Sequence, residues 1–229
     1  MKRTHLILVI VLAWAFQTQH LRGDDPQSAK TSNWPQWRGP AGMGVADGRD
    51  LAVHWSRTKN VVWHVKLPGW GTSSPVVFGH RVFVTSEVQE PTKKSLLTLC
   101  YDRTSGKELW RHDFGLGVAQ RTHEKSNLAA NTPAVTADAV YVSFANADSA
   151  RYSHDGKLQW VTRYIPKFGD PNMAWGYCPS PVVLHDSVLF PWDHHTGPCF
   201  LIGLDKQNGD IAWKKDRPIG TAHATPLLV

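Results

Sequence analysis

Along most of the chain, apolar residues come in short runs broken by turn-forming residues. SPVVFGHRVFVTS (74–86), TPAVTADAVYVSF (132–144) and SPVVLHDSVLFPW (180–192) each place a short apolar pair (Val-Val or Ala-Val), a polar turn and a longer β-branched or aromatic run in that order. LLTLCY (96–101) and ELWRHDF (108–114) have the same character and flank the polar stretch DRTSGK. Runs of this length rich in Val, Tyr, Phe and Trp predict strands, and Gly, Asp and Asn between them predict tight turns. No stretch outside residues 6–16 is long and apolar enough to span a membrane. The pattern is all-β.

The runs recur. Ser/Thr-Pro followed by apolar residues opens at Ser74-Pro75, Thr132-Pro133, Ser180-Pro181 and Thr225-Pro226, with prolines 58, 48 and 45 residues apart. YDRTSGKELW, SHDGKLQW and LDKQNGDIAW follow the first three openings, so Gly106, Gly156 and Gly209 are spaced by 50 and 53, as are Trp110, Trp160 and Trp213. Two landmarks recurring in phase mark a structural repeat of about fifty residues, and four short strands in such a unit make one β-propeller blade. Proline at the opening suits a strand start, where its missing N–H breaks no ladder bond. Blades are expected at about 71–118, 129–166 and 177–217, with the start of a fourth at 221–229. Trp110, Trp160 and Trp213 on the outer strands are expected to pack between blades.

The Ser/Thr-Pro-Val-Val openings with Asp-x-x-Thr/Asn-Gly-x-x-x-Trp closings resemble the pyrroloquinoline quinone (PQQ) repeat of quinoprotein dehydrogenases and BamB-type envelope scaffolds. NWPQWRGPAGMG (33–44) and the following VHWSRTKNVVWHVKLPGWGTSSPVV are similar to the start of exported PQQ-binding-like propellers of planctomycete-type bacteria. The resemblance implies seven or eight blades, so three complete blades are expected to form an incomplete ring and the chain to be a C-terminally truncated member. VVWHVKL (61–67) carries Trp63, 47 residues before Trp110, without a Ser-Pro opening. It reads as an orphan outer strand supplied to the closing blade. The propeller portion is thus 61–229, and 24–60 is an N-terminal extension whose TSNWPQWRGP wraps onto the blades.

MKRTH followed by LILVIVLAWAF (6–16) reads as a signal peptide over residues 1–23, cleaved between 15 and 23. The expected mature protein is periplasmic or secreted, with no membrane span. The formal charge of +6 falls to +3 without Lys2, Arg3 and Arg22, and no Lys/Arg run exceeds two, which argues against a nucleic-acid partner. Cys100, Cys178 and Cys199 show no CxxC or CxxCH spacing.

The chemistry implied by the resemblance is PQQ-dependent oxidation of an alcohol or sugar. It requires Ca²⁺, an Asp base and a flat residue under the quinone. Trp70, Trp175 and Trp192 are the flat candidates, but no Cys-Cys pair is present. Asp102, Asp155 and Asp205 precede the turn glycines and read as turn-forming residues rather than calcium ligands. Asp193-His194-His195 and His123-Glu124 carry ligand-type side chains, but neighbours in a strand point to opposite faces and do not converge on one ion. No catalytic or metal residue is assigned. The candidate ligand positions are polar residues just before the openings, expected at one mouth of the channel: Thr72, Ser73, Asn127, Asn131, Tyr177, Thr221 and His223. The expected role is a non-catalytic envelope scaffold that binds a protein partner or a small polar ligand. The alternative is a PQQ/Ca-dependent dehydrogenase fragment.

Overall fold

The computed structural model describes residues 33–228, except 47, 49, 50, 91–93, 117–121, 174 and 219. The signal-peptide expectation lies outside the described residues.

Each repeat folds as predicted into a four-stranded antiparallel sheet in simple sequence order. The first holds β1 (Val76–Phe78), β2 (Arg81–Gln89), β3 (Lys94–Asp102) and β4 (Glu108–Asp113). The second holds β5 (Ala134–Val135), β6 (Val140–Phe144), β7 (Asp148–Tyr152) and β8 (Leu158–Arg163). The third holds β9 (Val182–Leu184), β10 (Ser187–Trp192), β11 (Cys199–Asp205) and β12 (Ile211–Arg217). A one-turn helix, α1 (Ile165–Phe168), joins the second and third sheets, with Pro166 in its first turn. The pairing of third and fourth strands slips at the same place in every sheet, at Cys100/Tyr101, Arg151/Tyr152 and Gly203/Leu204. The repeat therefore preserves a bulge as well as its strands.

The sheets are stacked face to face. Val76, Phe83, Leu96 and Cys100 of the first pack with Val140, Val142, Phe144 and Tyr152 of the second. From the other face of the second, Tyr141 and Trp160 pack with Val188, Phe190, Ile202 and Leu204 of the third. The middle sheet is therefore covered on both sides, and VYVSF is buried throughout rather than alternating. Phe168 of α1 fills the end of the second interface against Trp192 and Phe200, with ring centroids 5.4 and 4.9 Å apart. Burial pushes the Cys100 thiol up to about 12, which removes it from thiolate chemistry near neutral pH.

Two devices tie one sheet to the next. The first uses the outer-strand tryptophans. The Trp110 indole N–H donates to His154 O (2.9 Å) and the Trp160 indole N–H to Lys206 O (3.1 Å), each ring lying over the turn glycine of the following sheet. Trp63 does the same to the first sheet, donating to Arg103 O (2.8 Å) above Gly106, although residues 61–67 form no strand. Trp213 is different. Its ring lies over Gly203 of its own sheet, its N–H reaches Ser187 Oγ at 3.4 Å, and it is 39% exposed. Among the described residues it docks on no neighbouring turn.

The second device explains the Ser/Thr before each proline. The Ser74 N–H donates to Thr132 Oγ1 (3.0 Å), the Thr132 N–H to Ser180 Oγ (2.9 Å) and the Ser180 N–H to Thr225 Oγ1 (3.0 Å). The hydroxyls thus form a one-way chain from repeat to repeat, and Thr225 takes the fourth place although the described residues 226–228 form no strand. The turns at the sheet ends hold one correction. Asp102 and Asp205 accept two amides each in their turns, as expected, but Asp155 does not. The second turn is a residue shorter, and Ser153 Oγ takes the Lys157 amide while Asp155 only accepts the Ser153 hydroxyl.

Candidate functional site at the inner edges

The first strand of each sheet is its inner edge, and the polar residues before the openings gather there. Asn131 is fully buried, with Nδ2 donating to Pro179 O (2.7 Å), Tyr177 O (3.2 Å) and Ser143 Oγ (3.0 Å). The hydroxyls of Thr85 and Ser143 occupy matching places on second strands. Each lies 3.3 Å from the carbonyl just before the next opening, Asn131 O and Pro179 O respectively. Ser73 is half-buried, with its hydroxyl on the Thr85 backbone.

Other candidates serve the connectors. Asn127 is buried, with Oδ1 accepting the Ala129 N–H (2.8 Å), and the adjacent Leu128 N–H donates to buried Glu87 Oε2 (2.7 Å). The Tyr177 hydroxyl donates to Pro191 O (2.7 Å), and burial holds its phenol well above the usual range. Thr221 Oγ1 donates to His194 O (3.2 Å). Thr72 and His223 are exposed. The seven residues do not form one open mouth: Asn127, Asn131 and Tyr177 are buried and bond carbonyls or amides of the fold through Oδ1, Nδ2 and the hydroxyl respectively, while Asn127 Nδ2 and Asn131 Oδ1 are buried without a partner among the described residues.

What occupies the inner edges is the segment before the blades, Asn33–Gly44. Trp34 exchanges two backbone hydrogen bonds with Val77 of β1, N to O at 2.8 Å and O from N at 2.9 Å. Asn33 Oδ1 accepts the Gly79 N–H (2.8 Å) at the β1–β2 turn. Pro35 O then accepts the Val135 N–H of β5 (2.7 Å). This strap therefore crosses from the first blade to the second by strand addition. Beyond it the chain coils through turns at Gly39, Gly42 and Gly44, and Leu227 lies against Gly42. A cleft of about 270 Å³ remains between the strap and the third blade, lined by Gln36, Trp37, Arg38, Pro181, Thr225 and Leu227 among others.

The residues present do not fit a quinone and its calcium ion. Trp192 is 1% exposed and enclosed by Tyr164, Phe168, Tyr177 and Phe200. The Trp70 backbone is bridged to Glu87, and Trp175 stacks on His123 at 4.1 Å. The buried carboxylate Asp193 is taken by Arg217 (2.5 Å) and the Ala222 N–H (2.9 Å). His194 Nδ1 accepts the Thr196 N–H (3.1 Å). Among the described residues no three His, Cys, Asp or Glu side chains gather to hold a metal. The strap's use of the inner edges was the feature hardest to foresee. The signal for it was the Asn-Trp-Pro extended stretch, in which Pro35 can accept but not donate.

The sequence profile of the family described as "Outer membrane protein assembly factor BamB", a PQQ-repeat family, matches residues 43–160 and 93–228. Quinohemoprotein alcohol dehydrogenase from Comamonas testosteroni is similar in structure, with a TM-score of 0.61 at 15% identity, over 83% of this chain and 28% of that one. A europium-containing methanol dehydrogenase matches with a TM-score of 0.54 at 15% identity, over 81% and 32%. BamB from Moraxella catarrhalis matches with a TM-score of 0.44 at 14% identity, over 71% and 44%. The chain thus spans less than a third of the two dehydrogenases, and its likeness to them is one of fold. No curated protein sequence matches significantly.

Proposed function

We propose that this chain, which belongs to the PQQ-repeat β-propeller family described as outer membrane protein assembly factor BamB, is a non-catalytic binding scaffold of the cell envelope. The observation that carries this reading is how the inner edges are used. The strap takes the Val77 and Val135 amides, and Asn131, Thr132 and Thr85 lock neighbouring blades together. A quinoprotein needs a flat residue, an acid and oxygen ligands converging on one place, whereas here Trp192 is enclosed in the core and Asp193 is taken by Arg217 and the Ala222 amide. What is left open is binding surface. Trp37, Trp70 and Trp175 are 42, 45 and 51% exposed, and aromatic side chains of this kind are favoured anchors for protein partners. Export to the envelope is part of the proposal and follows from the reading of residues 1–23.

The test is activity. The purified protein is incubated with PQQ and Ca²⁺ and assayed for dye-coupled oxidation of primary alcohols and glucose. The scaffold reading expects no turnover above a protein-free control. Turnover that depends on both PQQ and Ca²⁺ overturns it in favour of a dehydrogenase.

A further inference from the structure

The three inner edges are built alike but are not filled alike. Val77, Val135 and Val183 are the second residues after Pro75, Pro133 and Pro181. Val77 pairs with Val82 next to the Phe78–Arg81 pair that closes the two-residue Gly79-His80 turn, and Val183 pairs with Val188 next to the Leu184–Ser187 pair that closes the His185-Asp186 turn. In this register the residue has no ladder bond to its own hairpin partner, so its N–H and C=O point outward from the sheet's open edge. Gly79 and His185 correspond as well, with φ of +57° and +51°.

In the first blade all three groups are satisfied by the strap, Val77 through Trp34 and the Gly79 N–H through Asn33. In the second, the Val135 N–H is satisfied by Pro35 O. The next strap carbonyl, that of Gln36, turns back to accept the Gly39 N–H (3.0 Å), and the chain leaves the edges. Val183 and the His185 N–H therefore have no hydrogen-bond partner among the described residues. The cleft of about 270 Å³ reaches the start of this edge, at Pro181 and at Val182 of β9, the residue before Val183.

We infer that the inner edge of the third blade is a peptide-binding site that takes a short extended segment by strand addition. The ligand presents an Asn or Asp to the His185 N–H and pairs its next residue with Val183. This repeats on the third blade the chemistry that Asn33 and Trp34 supply to the first. The half-exposed Trp37 ring, Pro181 and Leu227 form the apolar wall for the ligand's side chains, and unpaired edges are natural templates for such addition. The inference rests on the binding reading above and names the partner chemistry of one surface.

The probe is the peptide acetyl-Asn-Trp-Pro-Gln-amide, titrated into the ¹⁵N-labelled full chain, with the same peptide N-methylated at Trp as control. Saturable shifts at the Val183 and His185 amides are expected, and the control should bind at least about tenfold more weakly because it has lost the donor to Val183 O. Val183→Pro removes the edge amide at a position that tolerates proline and should weaken the parent peptide similarly. No shift at about 1 mM peptide overturns the inference, and so does equal binding of the N-methylated form. Shifts at Val77 and Val135 in place of Val183 overturn it too, since they report displacement of the strap. Failure here without PQQ-dependent turnover removes this site and leaves the scaffold reading standing.

Discussion

The indole N–H of Trp110 donates to His154 O at 2.9 Å, and its ring lies so close over Gly156 that a β-carbon there would sit 2.6 Å from it. Trp110 thus senses both the backbone and the missing side chain of the next blade's turn. Trp63 over Gly106 and Trp160 over Gly209 repeat the relationship. Gly156 also has φ +87°, so the turn needs glycine for its conformation as well as for space.

Trp160→Ala should destabilise the protein by about 3–5 kcal/mol, since it empties a buried indole site between two blades. Trp213→Ala should cost well under half as much, because its ring is partly exposed and meets only its own sheet. Urea denaturation of both variants followed by circular dichroism compares them, and equal losses would contradict the docking account.

Gly156→Ala should cost roughly 1–3 kcal/mol through strain and the clash with Trp110. Part of that loss should vanish in the Trp110→Ala background. A double-mutant cycle with no coupling between the two positions would show that the ring and the turn do not meet.

The hydroxyl chain makes a sharper distinction. Thr132→Val keeps the shape of a buried residue but removes the acceptor of the Ser74 N–H, and it should cost about 1–3 kcal/mol. Thr132→Ser keeps the acceptor and should retain most of the stability. Thermal melts of the two variants that coincide would refute the hydrogen-bond role.

Asp148 gives a pH signature. Its carboxyl is buried, and burial raises its pKa from 3.8 to about 6, against the opposing effects of Arg163 (3.5 Å) and Asn146 (3.0 Å). The folded form therefore binds more protons than the unfolded chain between these values. The contribution of this group to stability is fully present below about pH 4 and is lost as pH rises through 6. Asp148→Asn should gain on the wild type as pH rises from 4 to 7, by up to about 3 kcal/mol. A stability difference between the two that stays constant with pH would contradict it.

The repeat landmarks made the blades legible because each has a single physical reason. Proline marks a strand start, glycine a left-handed turn and tryptophan an interface. Trp63 shows both the reach and the limit: its spacing marked it as a blade-docking tryptophan of an outer strand for the closing blade, and its ring does dock on the turn of the first sheet, but residues 61–67 form no strand. The second turn was misread because Ser153 does the work of Asp in a loop one residue shorter, a substitution that spacing to Gly156 does not display. The candidate site was less legible. Asn127, Asn131 and Tyr177 lie near the openings as expected, but whether such a residue faces a ligand or a neighbouring carbonyl depends on how blades meet, and that is set by contacts 36 to 58 residues away, as in Ser143 to Pro179 and Ser74 to Thr132. The path of the strap from Val77 to Val135 is likewise a tertiary choice that a local pattern does not encode.

The most direct test of the scaffold reading is an equilibrium titration of the purified protein with PQQ in the presence of Ca²⁺, followed by tryptophan fluorescence. The account predicts only linear inner-filter loss up to about 1 mM cofactor. Saturable quenching that requires Ca²⁺ would contradict it and place a quinone site among residues to which this account gives only structural roles.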